Sequence, residues 1–207
     1  AASCYLVEAD GVDDDGAPYT YQVLLDLGAG SLGPLQRHVA LEDIDAIALT
    51  HLHPDHCLDA CGLYVYLKYR PGGPSPRRPL LLGPAGSAKR LARAYDLPLV
   101  PGMHSEFDIV SWTPTVPVQV GPLTITPYRV VHPVPAFGLR VEGPREDGQG
   151  TAVLAYSGDT DTCPGLLETA RDADLFLCEA AFVEGRDDIR DVHLTGVRAG
   201  QLATEAR

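Results

Sequence analysis

Positive charge is scarce in this sequence. Sixteen Lys and Arg stand against 28 Asp and Glu in 207 residues, a formal net charge of −12. A surface of that sign repels phosphate backbones at long range, which argues against nonspecific nucleic-acid binding. Lys is rarer still, with two against 14 Arg, a skew we read as composition bias and not as phosphate recognition. Apolar runs are short: none approaches the roughly 18–20 residues of a membrane helix, so a spanning segment is not expected. The opening AASCYLVEAD has neither a basic start nor a long apolar middle, so no secretory leader is read there. An initiator Met is lacking and the final GQLATEAR reads as helix in mid-course, so both ends are expected to be incomplete. Cysteine is sparse and odd in number, at Cys4, Cys57, Cys61, Cys163 and Cys178. Most of these sit in apolar segments, which argues against a disulfide framework and for a reducing, cytoplasmic setting. Cys57 and Cys61 lie one helical turn apart, and burial as small hydrophobes is preferred to a metal pair.

What is present suits a globular chain, with 45% apolar and 21% charged residues. CYLVEA (4–9) and YQVLLDLG (21–28) are strand-like around the polar turn DGVDDDGAP. IDAIALT (44–50) is nearly continuous apolar sequence, as in a strand covered on both faces. HCLDACGLYVYLKY (56–69) has the length and apolar spacing of a helix, which RPGGPSPRRP ends. LLLG (80–83) reads as a strand, residues 85–95 as a helix, and the middle of the chain as β-rich. TAVLAYSGDT (151–160) is a strand ending in a loop, followed by a helix near 164–171, the strand DLFLCEA (174–180) and a helix from Leu194. No repeat, low-complexity segment or long linker divides the chain, so 1–207 is expected to be one domain of mixed α/β type.

The chemistry concentrates at strand ends. HLHPDH (51–56) follows the buried run at once and places His51, His53, Asp55 and His56 within six positions. Imidazole nitrogen and carboxylate oxygen are the donors that zinc and similar divalent ions accept. A solvated loop that merely caps a helix through Asp55 would account for one aspartate and not for three histidines. His132 follows ITPYRVV, Asp159 follows TAVLAYSG, and Asp26 ends YQVLL before LGAGSLG. His38 and His104 match no such pattern and are assigned to the surface.

Together these residues resemble the metallo-β-lactamase fold superfamily. The resemblance rests on HLHPDH, LLDLGAG (Asp26), the isolated His132, YSGDT (Asp159) and HLTGVRAGQLA (His193), in the right order. It is closest in kind to the branch containing RNase Z and related phosphodiesterases, whose H-E-A-T-F segment compares with CEAAF here. The resemblance implies a four-layer αββα sandwich with a metal site at one edge of two sheets. It implies that His51, His53 and His132 bind one ion, that Asp55 and His56 bind a second, and that Asp159 bridges them. A further histidine, expected on a strand after the last helix, has no counterpart before Arg207, and this strand and the first one are expected to be missing. Asp26 is expected to hold the histidine loop through hydrogen bonds. His193, oriented by Glu179, is expected to contact the substrate or assist the leaving group.

The implied cofactor is two divalent ions, zinc first and manganese second, and the implied reaction is hydrolysis by a metal-bridging hydroxide, with Asp55, His193 and Glu179 as catalytic groups. An aspartate at 159, where many lactamases carry cysteine, turns the expectation away from β-lactams. The interval from His132 to Asp159 is too short for the tRNA-gripping arm of RNase Z. The expected substrate is therefore a small phosphodiester, a cyclic nucleotide first. An RNase Z-type nuclease is the second expectation, and a non-catalytic metal-binding module with a degenerate site the third. A homodimer is left open, since no stretch identifies an interface.

Overall fold

The apolar run around Ile47 forms the middle of a five-stranded sheet. In the computed structural model, which describes residues 2–185 and 188–207, its order is β1 (Tyr5–Val12), β2 (Pro18–Leu25), β3 (Ala46–Ala48), β4 (Leu80–Gly83) and β5 (Asp108–Ser111). From β2 to β5 the strands pair in parallel. Parallel pairing sends every chain back by a crossover, so these four strands end at the same edge of the sheet. All three residues of β3 are buried, as the continuous apolar run requires. Trp112 closes this part of the chain, its indole N–H donating to the Leu49 carbonyl at 2.8 Å.

The crossovers carry α1 (Leu32–Leu35), α2 (Pro54–Cys57), α3 (Ala60–Tyr69) and α4 (Ser87–Ala94). Ala60, Leu63, Tyr64 and Leu67 of α3 are buried, at the i, i+3, i+4, i+7 spacing of one helical face. They join Ile47, Leu49, Leu81, Leu91 and Phe107 in one apolar core. The single helix expected over 56–69 is in fact two. Asp59 sits at the break and turns its carboxylate to the backbone N–H groups of Gly30 (2.9 Å) and Leu32 (2.8 Å). The first hairpin also differs from expectation, because both strands run on into the acidic turn. Asp13 tightens that turn by accepting from the N–H groups of Asp15 (3.0 Å) and Ala17 (2.8 Å). LGAGSLG (27–33) contains the start of α1.

A second five-stranded sheet has the order β10 (Leu175–Leu177), β9 (Thr151–Tyr156), β8 (Ala136–Pro144), β7 (Leu123–Val130) and β6 (Val118–Val120). Its pairings are antiparallel except β9 with β10, which is parallel. The helices α5 (Pro164–Ala170) and α6 (Gly196–Glu205) supply Leu166, Ala170 and Leu202 to a core with Val130, Ala136, Ala155 and Leu194. Gly165 allows α5 to sit directly on β7, since a Cβ there would lie 1.8 Å from the Arg129 carbonyl oxygen. Thr195 caps α6, its side chain accepting from the Arg198 N–H. Ala1–Glu8 with Thr20–Trp112 form one compact unit, and Ala9–Tyr19 with Thr113–Arg207 form another. No helix among the described residues is long and apolar enough to cross a membrane.

Candidate metal centre

In the first unit, β2 and β3 deliver Asp26 and Thr50–His51 to adjacent positions just past their carboxyl ends. Asp26, Thr50 and His51 are wholly buried. The Asp26 carboxylate accepts from the Thr50 N–H at 2.7 Å, from the Thr50 hydroxyl at 2.9 Å, and from His56 Nδ1 at 2.7 Å. A carboxylate can only accept, so His56 carries its proton on Nδ1 and presents Nε2 as the lone-pair atom. His51 and His53 bring Nε2 and Nδ1 to 3.0 Å of one another. The His51 and His56 rings lie 4.1 Å apart, centre to centre. Asp55 is half exposed, with Oδ2 3.9 Å from His56 Nε2. It sits in the first turn of α2, and His53, not Asp55, occupies the cap position.

The histidine loop is stitched to the loop after β2 by backbone bonds. Leu27 N–H donates to the His56 carbonyl (2.8 Å), Ala29 N–H to Pro54 (3.1 Å), and Asp59 N–H to Leu27 (3.1 Å). Gly28 permits the approach, because a Cβ there would lie 1.7 Å from the Asp55 carbonyl oxygen.

In the second unit, His132 follows β7 and donates from Nδ1 to the Val192 carbonyl at 2.9 Å. That bond again leaves Nε2 as the acceptor nitrogen. Donor atoms of Asp159, Glu179 and His193 lie within 4.8 Å of one another. Glu179 takes His193 Nδ1–H (2.9 Å) and Thr160 N–H (2.8 Å) on Oε1, and the N–H groups of Ala181 (2.9 Å) and Leu194 (3.3 Å) on Oε2. Both oxygens are thus engaged by the protein, which suits orienting His193. The His132 and His193 rings are 5.5 Å apart, and Phe182 meets His193 edge-on at 5.1 Å.

Asp161, two residues beyond Asp159, is buried among donors. Burial is the largest influence on its carboxyl and pushes the pKa up. The Arg190 guanidinium, the N–H groups of Asp191 and Thr162, and Arg198 more than offset that and bring it to about 2. The thiols behave oppositely. Burial pushes Cys57 and Cys178 up to about 12, with the neighbouring Glu179 charge adding to the effect at Cys178. Protonated thiols are poor metal ligands, and no cysteine joins a donor cluster among the described residues. His38 and His104 are exposed, as expected.

Thr50, Asp59, the Val192 carbonyl and Asp161 were not anticipated as parts of this arrangement. Thr50 alone carries a local signal, as the residue that separates the buried run from HLHPDH.

Imidazoles held in one tautomer by a carboxylate or carbonyl are the donor chemistry of a divalent-metal site, so the residues fit such an ion. With such groups placed just past strand ends in both sheets, the chain carries the donor set of a divalent-metal site. Residues 21–207 match the family described as "Beta-lactamase superfamily domain", and the chain belongs to that family. An uncharacterized protein of Mycobacterium tuberculosis, Rv1339, is 42% identical over 193 residues, covering 92% of this chain and 68% of its own length. The probable metallo-hydrolase YhfI of Bacillus subtilis is 28% identical over 203 residues, covering 90% of this chain and 71% of its own. The crystal structure of YhfI superposes with a TM-score of 0.77 at 24% identity, over 100% of this chain and 75% of that one. Human tRNase Z, short form, superposes with a TM-score of 0.72 at 21% identity, over 100% of this chain and 82% of that one. The fold is therefore the α/β metallo-β-lactamase fold.

Proposed function

We propose that this protein hydrolyses a small phosphodiester, a cyclic nucleotide first, with two divalent ions, zinc in preference to manganese. The observation that carries the substrate class lies between His132 and Asp159. That interval is taken up by the β8–β9 hairpin, whose strands end at Pro144 and resume at Thr151. A chain with no room there for a protruding arm has nothing at this position to grip a folded RNA. The net charge of −12 points the same way.

On this reading His51, His53 and His132 would hold one ion, Asp55 and His56 the other, and Asp159 both. The chemistry the ions supply when bound is Lewis acidity, toward a water and toward the phosphoryl oxygens. The chain's own residues prepare and complete the reaction. Asp26 and the Val192 carbonyl keep His56 and His132 in the tautomer that offers Nε2. Glu179 fixes the His193 ring by accepting its Nδ1–H, and Nε2 has a proton to give to the substrate when His193 enters the reaction as the imidazolium. When the ester P–O bond breaks, that proton passes from Nε2 to the departing oxygen, and neutral His193 stays hydrogen-bonded to Glu179.

The test is a turnover panel with zinc-loaded protein: cyclic AMP and cyclic GMP, a chromogenic phosphodiester, precursor tRNA and a β-lactam. Cyclic nucleotides or the simple diester should be cleaved orders of magnitude faster than the lactam. Efficient tRNA processing would make the protein a nuclease, and no turnover with two bound ions would make it a binding module.

A further inference from the structure

We infer that Asp161, which belongs to no ligand set, is a positioning residue that places His132 and His193 through the loop between residues 190 and 192. The inference rests on the reading of His132 as a metal ligand. Asp161 is 1% exposed. Its Oδ2 accepts from Arg190 Nε at 2.7 Å and from the Asp191 N–H at 2.9 Å. Its Oδ1 accepts from the Thr162 N–H at 2.7 Å and from Arg198 of α6.

What these bonds hold is the approach to both histidines. Asp191 adopts a left-handed backbone, φ 65°, a conformation that costs a non-glycine residue free energy and persists only where surroundings impose it. The Asp161 carboxylate imposes it by capturing the N–H of that same residue. The next carbonyl, that of Val192, takes the His132 Nδ1 proton, and His193 follows. On its other side, Asp161 donates its own N–H to the Val131 carbonyl at 3.0 Å, in an isolated bridge beside His132. The contacts close a circuit: Asp161 to Val131, His132 to Val192, and Asp191 back to Asp161. The Asp161 carboxylate therefore holds the residue before the carbonyl that fixes His132 Nδ1, its backbone N–H holds the residue before His132, and the same carboxylate sets where the chain enters His193. In Asp161→Asn the shape is kept, but an amide N–H₂ faces Arg190 or Arg198, donor against donor, and the loop is released.

The experiment measures zinc affinity by chelator competition, apo-protein melting temperature, and kcat and KM, on Asp161→Asn, Arg190→Gln and His132→Ala. Outer partners of metal ligands are worth roughly 10–100-fold in metal affinity or activity. We expect zinc affinity in Asp161→Asn to fall on that scale, with kcat falling alongside and KM nearly constant. The Arg190 side chain is 54% exposed, so Arg190→Gln should fold and show the same pattern at smaller size. A merely structural role would lower the apo melting temperature and leave zinc affinity, measured well below melting, at the wild-type value. That result overturns the inference. If Asp161→Asn yields no folded protein, wild-type zinc affinity in Arg190→Gln overturns it instead. Wild-type affinity in His132→Ala would remove the ligand assignment itself, a separate failure that takes the inference with it.

Discussion

Replacing Gly28 by alanine should damage the histidine loop without touching a histidine. A Cβ at that position would lie 1.7 Å from the Asp55 carbonyl oxygen, 2.4 Å from its carbon and 3.0 Å from the Ser3 nitrogen. All three are backbone atoms, which cannot rotate away. To restore even a tight contact, the segment between His53 and His56 must retreat by roughly 1.3 Å, a displacement on the scale that costs an active site about 100-fold. The retreat strains the bonds from Leu27 N–H to His56 and from Ser3 N–H to Asp55, 2.8 and 2.9 Å long. Overpacking costs about 1–3 kcal/mol, and each backbone bond weakened adds up to about 1 kcal/mol. A loss of roughly 1–5 kcal/mol in a chain of this length lowers the melting temperature by about 2–20 °C. Calorimetry, zinc content and turnover should all fall together. Gly33→Ala is the control, since nothing lies within 4 Å of a Cβ there, and it should match the wild type. A Gly28→Ala protein with wild-type melting temperature and zinc content would refute the argument.

His132→Ala should lose both metal and activity, whereas His193→Ala should keep its metal and lose turnover by roughly 100-fold or more. Elemental analysis beside a rate assay separates the two, and metal loss in His193→Ala would make that residue a ligand. Asp26→Ala leaves the Thr50 N–H and hydroxyl and the His56 Nδ1–H in a buried site with their acceptor gone. It should cost about 1–3 kcal/mol for each buried donor left unsatisfied, and weaken zinc binding roughly 10–100-fold. Unchanged chemical denaturation would contradict the role given to Asp26.

Local patterns announced the elements whose burial is set locally. Ala46–Ala48 and Leu80–Gly83 are continuous apolar runs, and they are central strands. What lay beyond reach depends on partners distant in sequence. The break between α2 and α3 is made by Asp59 bonding to Gly30 and Leu32, 29 and 27 residues away, so local spacing alone reads through it. The extension of β1 to Val12 was hidden because Asp10 and Gly11 read as the start of a turn. HLHPDH, Asp26, His132 and Asp159 stood out by residue type at strand ends, and His193 only through the resemblance to the family. Asp161 did not, because its meaning comes from Arg190 and Arg198, 29 and 37 residues further on, and an aspartate in a polar loop carries no mark of such partners.

The stitching of the Asp26 loop to the histidine loop bears on how the protein breathes. Leu27, Ala29, Gly30, Leu32 and Asp59 each give an amide proton to the opposite loop. None of these protons can be released unless the two loops part. Segments linked in this way open as one cooperative unit, so the five amides should exchange with solvent deuterium at a common opening free energy. A ligand that closes on His51, His53 or His56 would slow exchange at Gly30 and Leu32 as well. Binding at the metal site would then be audible in residues that never touch it.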